Sequence, residues 1–242
     1  MTLPTEKQTR AGRDPRSARV LIAGTPKVGK STLLSGWAPE TTLIIDTQGG
    51  SNLLEGEHYV QHVESWKAFE QTVQELTLTD HNFLTVGIDL VDDLWNFADE
   101  AFAGKNAPLA SATDDYQKAV RTAEGIFRQT VGALLRSNMG VWFISHVKET
   151  QEAGVTRYKS KLDARVLTYV QGACDFVLLS EALGPKRVLH TAPSAKFEAG
   201  SRVPLPEPMD LDARALYAAM NAGLNPPVKK AASKKTEEAV AA

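Results

Sequence analysis

The stretch Gly24-Thr25-Pro26-Lys27-Val28-Gly29-Lys30-Ser31 obeys G-x-x-x-x-G-K-[S/T] without an exception, and Thr32 follows it. Before it lies the apolar run 18–23, Ala-Arg-Val-Leu-Ile-Ala, the pattern of a buried strand. After it, residues 30–37 open a helix. A strand that turns through glycines into a helix makes a phosphate cradle, because the glycines let backbone N–H groups face an anion and the helix presents its positive end. In such a cradle Lys30 reaches the β- and γ-phosphates of a nucleoside triphosphate, and the Ser31 hydroxyl ligates Mg²⁺. ATP with Mg²⁺ is therefore the expected cofactor, bound by residues 24–32.

Working outward, further strands are predicted at 42–46, 59–63, 83–89, 140–145, 174–180 and 187–191. Trp66, Phe69, Val73 and Leu76 recur at helical spacing, as do Val91, Leu94, Trp95, Ala98 and Phe102. Tyr116, Val120, Phe127, Val131 and Leu134 mark a long helix, and shorter helices are predicted at 163–171 and 211–222. Leu183-Gly184-Pro185 between two strands predicts a hairpin. The polar stretches 104–115 and 147–162 read as loops. Residues 1–17 read as a flexible arm, 18–222 as one core and 223–242 as a disordered Lys/Ala/Glu tail. Strands alternating with helices predict an α/β fold: a mostly parallel central sheet, helices on both faces and a C-terminal antiparallel hairpin.

The bulk properties narrow the class. A net charge of −2 excludes blanket attraction to nucleic acid, so any such contact must come from local basic segments. The one cysteine, Cys174, has no partner for an internal disulfide and lies in an apolar run, where it reads as a small buried hydrophobe. No apolar stretch approaches the ~20 residues of a membrane helix. A cytoplasmic protein is expected.

Asp89 ends the apolar run 83–89, the strand end at which ligands bind in such sheets, and is expected to hold Mg²⁺. Asp92 and Asp93 follow where acidic residues start a helix. Asp46 ends the second strand ahead of Thr-Gln48-Gly-Gly.

The order of phosphate loop, Asp46-Thr-Gln48-Gly-Gly, Asp89 and Val141-Trp-Phe-Ile-Ser-His146-Val-Lys148 resembles the RecA-like P-loop ATPase core over about residues 18–210. The closest likeness is to its short phage type, the single-strand annealing or recombinase-like ATP-binding proteins. The resemblance implies ATP-dependent binding of single-stranded DNA, self-association into a ring or filament, recombination or annealing in a host cytoplasm, and a single-strand binding protein as a further partner. It makes His146 the polar residue that senses the γ-phosphate. It makes Lys196 and Arg202 basic residues that contact a neighbouring subunit's phosphates. The loops 104–115 and 147–162 fall where the family contacts DNA, and the second offers Lys148, Arg157, Lys159 and Lys161 to phosphate and Tyr158 to a base.

One departure matters. The family places a glutamate two residues after the aspartate of the second strand, and this chain has Gln48. An amide orients water but does not take its proton. Hydrolysis is therefore expected to be slow, to be helped by Glu55 or Glu57, or to accelerate if Gln48 becomes glutamate. Rival readings are a helicase motor core, a small-molecule phosphotransferase (disfavoured, since no Arg-rich lid follows the loop) and an ATP-binding assembly switch that scarcely hydrolyses.

Overall fold

The computed structural model describes residues 12–102, 114–152 and 154–227. The arm up to residue 11, nearly all of the expected loop 104–115 and the tail from 228 lie outside them.

In chain order the elements are β1 (Val20–Gly24), α1 (Lys30–Ser35), β2 (Thr42–Asp46), β3 (Tyr59–His62), α2 (Trp66–Leu78), β4 (Thr85–Asp89), α3 (Val91–Phe102), α4 (Asp114–Arg136), β5 (Gly140–Glu152), β6 (Val155–Ser160), α5 (Ala164–Ala173), β7 (Phe176–Leu183), β8 (Lys186–His190), β9 (Gly200–Ser201), β10 (Met209–Asp210) and α6 (Ala213–Leu224). The strands join in the order β10-β8-β7-β1-β5-β4-β2-β3. From β7 to β3 every pairing on this path is parallel, whereas β8 and β10 add on antiparallel. This is the expected α/β architecture, with its hairpin at Gly184-Pro185.

Period-two alternation sends successive strand residues to opposite faces. Leu21, Leu43, Ile45, Val141 and Phe143 join Trp66, Phe69, Trp95, Phe127 and Val166 of α2–α5 in one core. Val20, Ile22, Ile44, Trp142 and Ile144 join Leu34 and Trp37 beside α1, and Leu216 and Met220 of α6, in the other. Helices thus cover both faces of a sheet whose central strands are buried, as a parallel sheet requires. Cys174 is buried in the first core, and burial pushes its thiol well above the usual range, consistent with an inert hydrophobe. No described helix is long and apolar enough to cross a membrane.

Two expectations need correction. The ordered chain begins before residue 18. Asp14 caps a 3-10 turn at Pro15–Ser17, Pro15 is buried, and Thr85 Oγ1 donates to the Arg16 carbonyl at 2.8 Å. At the other end the expected tail 223–242 starts too early, because Leu224 is buried at the end of α6 and Asn225 pairs with both backbone groups of Arg13. Second, residues 147–162 are not a loop. β5 continues to Glu152 and returns as β6 in antiparallel register, with Gly154 at φ +78° in the turn. Polar residues on both faces of this ribbon erase the apolar alternation by which a strand is recognised.

Candidate functional site

β1 lies between β5 and β7, and its last residue, Gly24, stands level with His146 and Ser180. A Cβ at Gly24 would fall 2.0 Å from Ser180 Oγ, so only glycine permits the strands to close here. The loop then curls through Lys27 (φ 64°) and Gly29 (φ 106°), both in the left-handed region. Val28 is buried and anchors the loop, while Pro26, Lys27, Gly29, Lys30, Ser31 and Thr32 line a cavity of about 390 Å³. Lys30 Nζ donates to the carbonyls of Gly24 (2.9 Å) and Thr25 (2.8 Å). Burial pulls its pKa down to about 8, against the opposing attraction of Asp89 and Asp92. The two carbonyls offer this ammonium only dipoles, whereas an anion in the cavity would add attraction between opposite full charges.

The other wall comes from β2, β4 and β5. Asp89 lines the cavity and is hydrogen-bonded by the Ser31 hydroxyl. Burial pushes the Asp89 pKa up, while Ser31 and Lys30 act against the shift. A hydroxyl and a carboxylate brought together from two elements are hard oxygen donors, a pair that suits Mg²⁺ with phosphate oxygens and water completing the shell. Asp46 faces its own turn. Its carboxylate accepts from the backbone N–H of Gln48 (2.9 Å), Gly49 (2.8 Å) and Ser51 (2.9 Å), and from the Ser51 hydroxyl. Burial alone would raise its pKa, but these bonds outweigh it and hold the carboxyl below its usual value.

That turn aims Gln48 into the cavity, where its Nε2 donates to Asp93 Oδ2 at 2.7 Å. The amide's carbonyl oxygen is left as the acceptor with which it can orient a water. Glu55 and Glu57, the expected substitutes, are exposed and do not line the cavity.

His146 also lines the cavity. Burial, followed by the Lys30 and Lys161 cations, lowers its pKa and so favours the neutral imidazole. Its backbone N–H donates to Asp92 Oδ2 and the Ser145 hydroxyl donates to Asp92 Oδ1, each at 2.7 Å. Ser145 Oγ in turn lies 2.6 Å from Ser160 Oγ at the foot of the β5–β6 hairpin. Capping was the expected role of Asp92 and Asp93. Both do stand in the first turn of α3, and beyond that Asp92 fastens the end of β5 and Asp93 fastens Gln48. Spacing alone carried no sign of either, since both contacts cross between elements.

In the hairpin, Lys148 pairs with Lys159, Glu149 with Tyr158 and Thr150 with Arg157. Opposed residues share a face and successive pairs alternate. Lys148, Arg157 and Lys159 therefore occupy one face, and Tyr158 is on the other with its N–H bonded to the Lys196 carbonyl at 2.7 Å. Lys159 Nζ lies 4.0 Å from Glu198 Oε1. Lys161, exposed, follows at the hairpin's foot and donates its N–H to the His146 carbonyl. The expected grouping of bases on Tyr158 with phosphates on the neighbouring cations is thus divided between two faces.

Lys196 and Arg202 do not line this chain's own cavity. Arg202 Nη1 lies 3.6 Å from Asp175 Oδ1, and Nη2 donates to the Gly172 carbonyl. The neighbouring Gly200–Ser201 strand pairs with Val177 and Phe176, at the end of β7 remote from the phosphate loop. A different cation enters the cavity. Arg187 of β8 lines it beside Gly29. Its place near the expected hairpin was legible, but its reach over the loop was not.

A family model described as an AAA domain matches residues 16–203, more than half of the chain. No curated protein matches it.

Proposed function

This chain belongs to the AAA domain family, whose P-loop ATPase domains bind ATP with Mg²⁺, and from that premise we propose that it is an ATP-dependent single-stranded DNA-binding protein of the recombinase or annealing type. Lys30 contacts the β- and γ-phosphates, while Ser31 and Asp89 hold the Mg²⁺, which neutralises phosphate charge when bound. Gln48 orients the attacking water, and His146 contacts the γ-phosphate. Phosphoryl transfer depends mainly on positioning and charge stabilisation, so an orienting amide supports slow turnover.

One observation carries the DNA half of this reading. β5 runs unbroken from His146, level with the phosphate loop, into the ribbon that bears Lys148, Arg157 and Lys159. Asp92, Ser145 and Ser160 tie the foot of that ribbon to α3. A shift at the γ-phosphate is thereby passed to a basic face. Self-association into a ring or filament belongs to the same proposal, with Lys196 and Arg202 as candidates for contacts with a neighbouring subunit.

The test is ATP turnover with and without single-stranded DNA, alongside calorimetric ATP binding to Lys30→Ala. The expected outcome is turnover that rises with DNA and a variant that folds but no longer binds ATP measurably. Equal turnover with and without DNA would remove the DNA half; unchanged ATP affinity in Lys30→Ala would remove the nucleotide half. A second reading, an ATP-binding assembly switch with little hydrolysis, is favoured by the amide at position 48. It predicts ATP-dependent assembly with no DNA-stimulated turnover.

A further inference from the structure

Arg187 is placed by strand register rather than by a loop. β1 stops at Gly24, level with Ser180, but β7 continues to Leu183 before the chain turns back. Arg187 pairs with Ala182, so it stands past the level at which the phosphate loop begins. Its carbonyl accepts from Leu211 N–H at 3.0 Å, which fixes the backbone from the other side. From this overhang the side chain leans back over the loop. Nη1 comes within 3.1 Å of the point a Cβ on Gly29 would occupy, and the guanidinium lines the phosphate cavity. Among the described residues no carboxylate lies within ion-pair distance of it. The cavity therefore holds an exposed arginine that has no carboxylate partner among the described residues.

The strand order sets this cation against the rest of the site. Gln48 and Asp89 arrive from β2 and β4 on one side of β1, and Arg187 arrives from β8 on the other. A chain of phosphates along the loop would lie between them. A guanidinium binds phosphate through a fork of parallel N–H donors, which a lysine at the same place cannot reproduce.

We propose that Arg187 grips the polyphosphate of the bound nucleotide in cis, so that each chain carries its own arginine clamp without a neighbouring subunit. The inference rests on the nucleotide reading above and adds to it both the residue and the moiety gripped, a di- or triphosphate. The contact closes within one chain, so it holds equally in the monomer and in any assembly.

The experiment titrates labelled Mg-ATP and Mg-ADP by fluorescence anisotropy into the parent protein and Arg187→Ala, Arg187→Lys and Lys30→Ala. Protein concentrations lie below and above the assembly midpoint, with sedimentation to report the state. Arg187→Ala should lose about 10- to 100-fold in affinity for both nucleotides, the scale of a charge-assisted bidentate contact. Arg187→Lys should recover only part, and the deficit should be the same for monomer and assembly. Unchanged affinity in Arg187→Ala would overturn the proposal. A deficit that appears only in the assembled protein would also overturn it, because the arginine would then be serving a neighbour. Lys30→Ala separates the two levels: if it binds like the parent, the nucleotide reading itself fails, whatever Arg187 does. Arg187 is exposed and outside both cores, so matched thermal melts are expected, and the lysine variant gives an independent comparison.

Discussion

The amide of Gln48 and the carboxylate of Asp93 lie 2.7 Å apart, and this contact reverses what a glutamate at position 48 is expected to do. From sequence alone Gln48→Glu should accelerate hydrolysis by supplying a base, a gain typically worth ~10²–10⁴-fold. Beside Asp93, the new carboxylate would instead share a site with a like charge, which raises one of the two pKa values and keeps a proton between them. Gln48→Glu alone should therefore turn over no faster than the parent. Gln48→Glu with Asp93→Asn, which rebuilds the hydrogen bond with its polarity inverted, should be about tenfold faster than the single variant. Single-turnover hydrolysis at saturating ATP makes the comparison. A second residue-scale outcome follows from Lys30, whose burial lowers its pKa to about 8. Bound phosphate favours the charged form, so binding above that pH must take up a proton. ATP affinity should be flat below about 8 and then fall by up to tenfold per pH unit. Calorimetry at pH 8.5 in buffers of different ionisation enthalpy would detect the proton.

At the scale of elements, the β5–β6 hairpin separates its cations from its tyrosine. Lys148, Arg157 and Lys159 share a face, and each cation that neutralises a phosphate of a single strand adds ~0.7 to the salt slope. Replacing all three with alanine should reduce the slope of log affinity against log salt by up to about 2. Tyr158→Ala, altering the opposite face, should leave that slope unchanged. Titrations of single-stranded DNA at several salt concentrations distinguish the two. Equal slopes for parent and triple variant would reduce the ribbon to a solvated protrusion.

For the whole molecule, the two cores on either side of the sheet make the site depend on distant packing. Trp142 is fully buried in β5, with its ring 4.5 Å from that of Trp37, which in turn packs 5.3 Å from Tyr217 of α6. It joins the strand carrying His146 to the helical layer behind it. Trp142→Ala should cost about 3–5 kcal/mol by opening a cavity that rigid neighbours cannot fill. Denaturant unfolding should show a lower midpoint with little change in the m-value.

The phosphate loop, the two-sided core and the alternation of strand and helix were legible in the chain because each is a local pattern: fixed spacing, period two or period 3.6. Asp46 and Asp89 at strand ends, and Lys30 and Ser31 in their motif, belong to that class. What the tertiary structure decided lies in contacts between elements. Asp93 meets Gln48 across 45 residues, Asp92 meets His146 across 54, and Arg187 reaches Gly29 from a hairpin whose overhang depends on the register of β7 against β1. The hairpin at 147–160 was hidden for a related reason. Both its faces are polar, so its strands are held by the ladder between them rather than by an apolar face, and a ladder has no signature in composition.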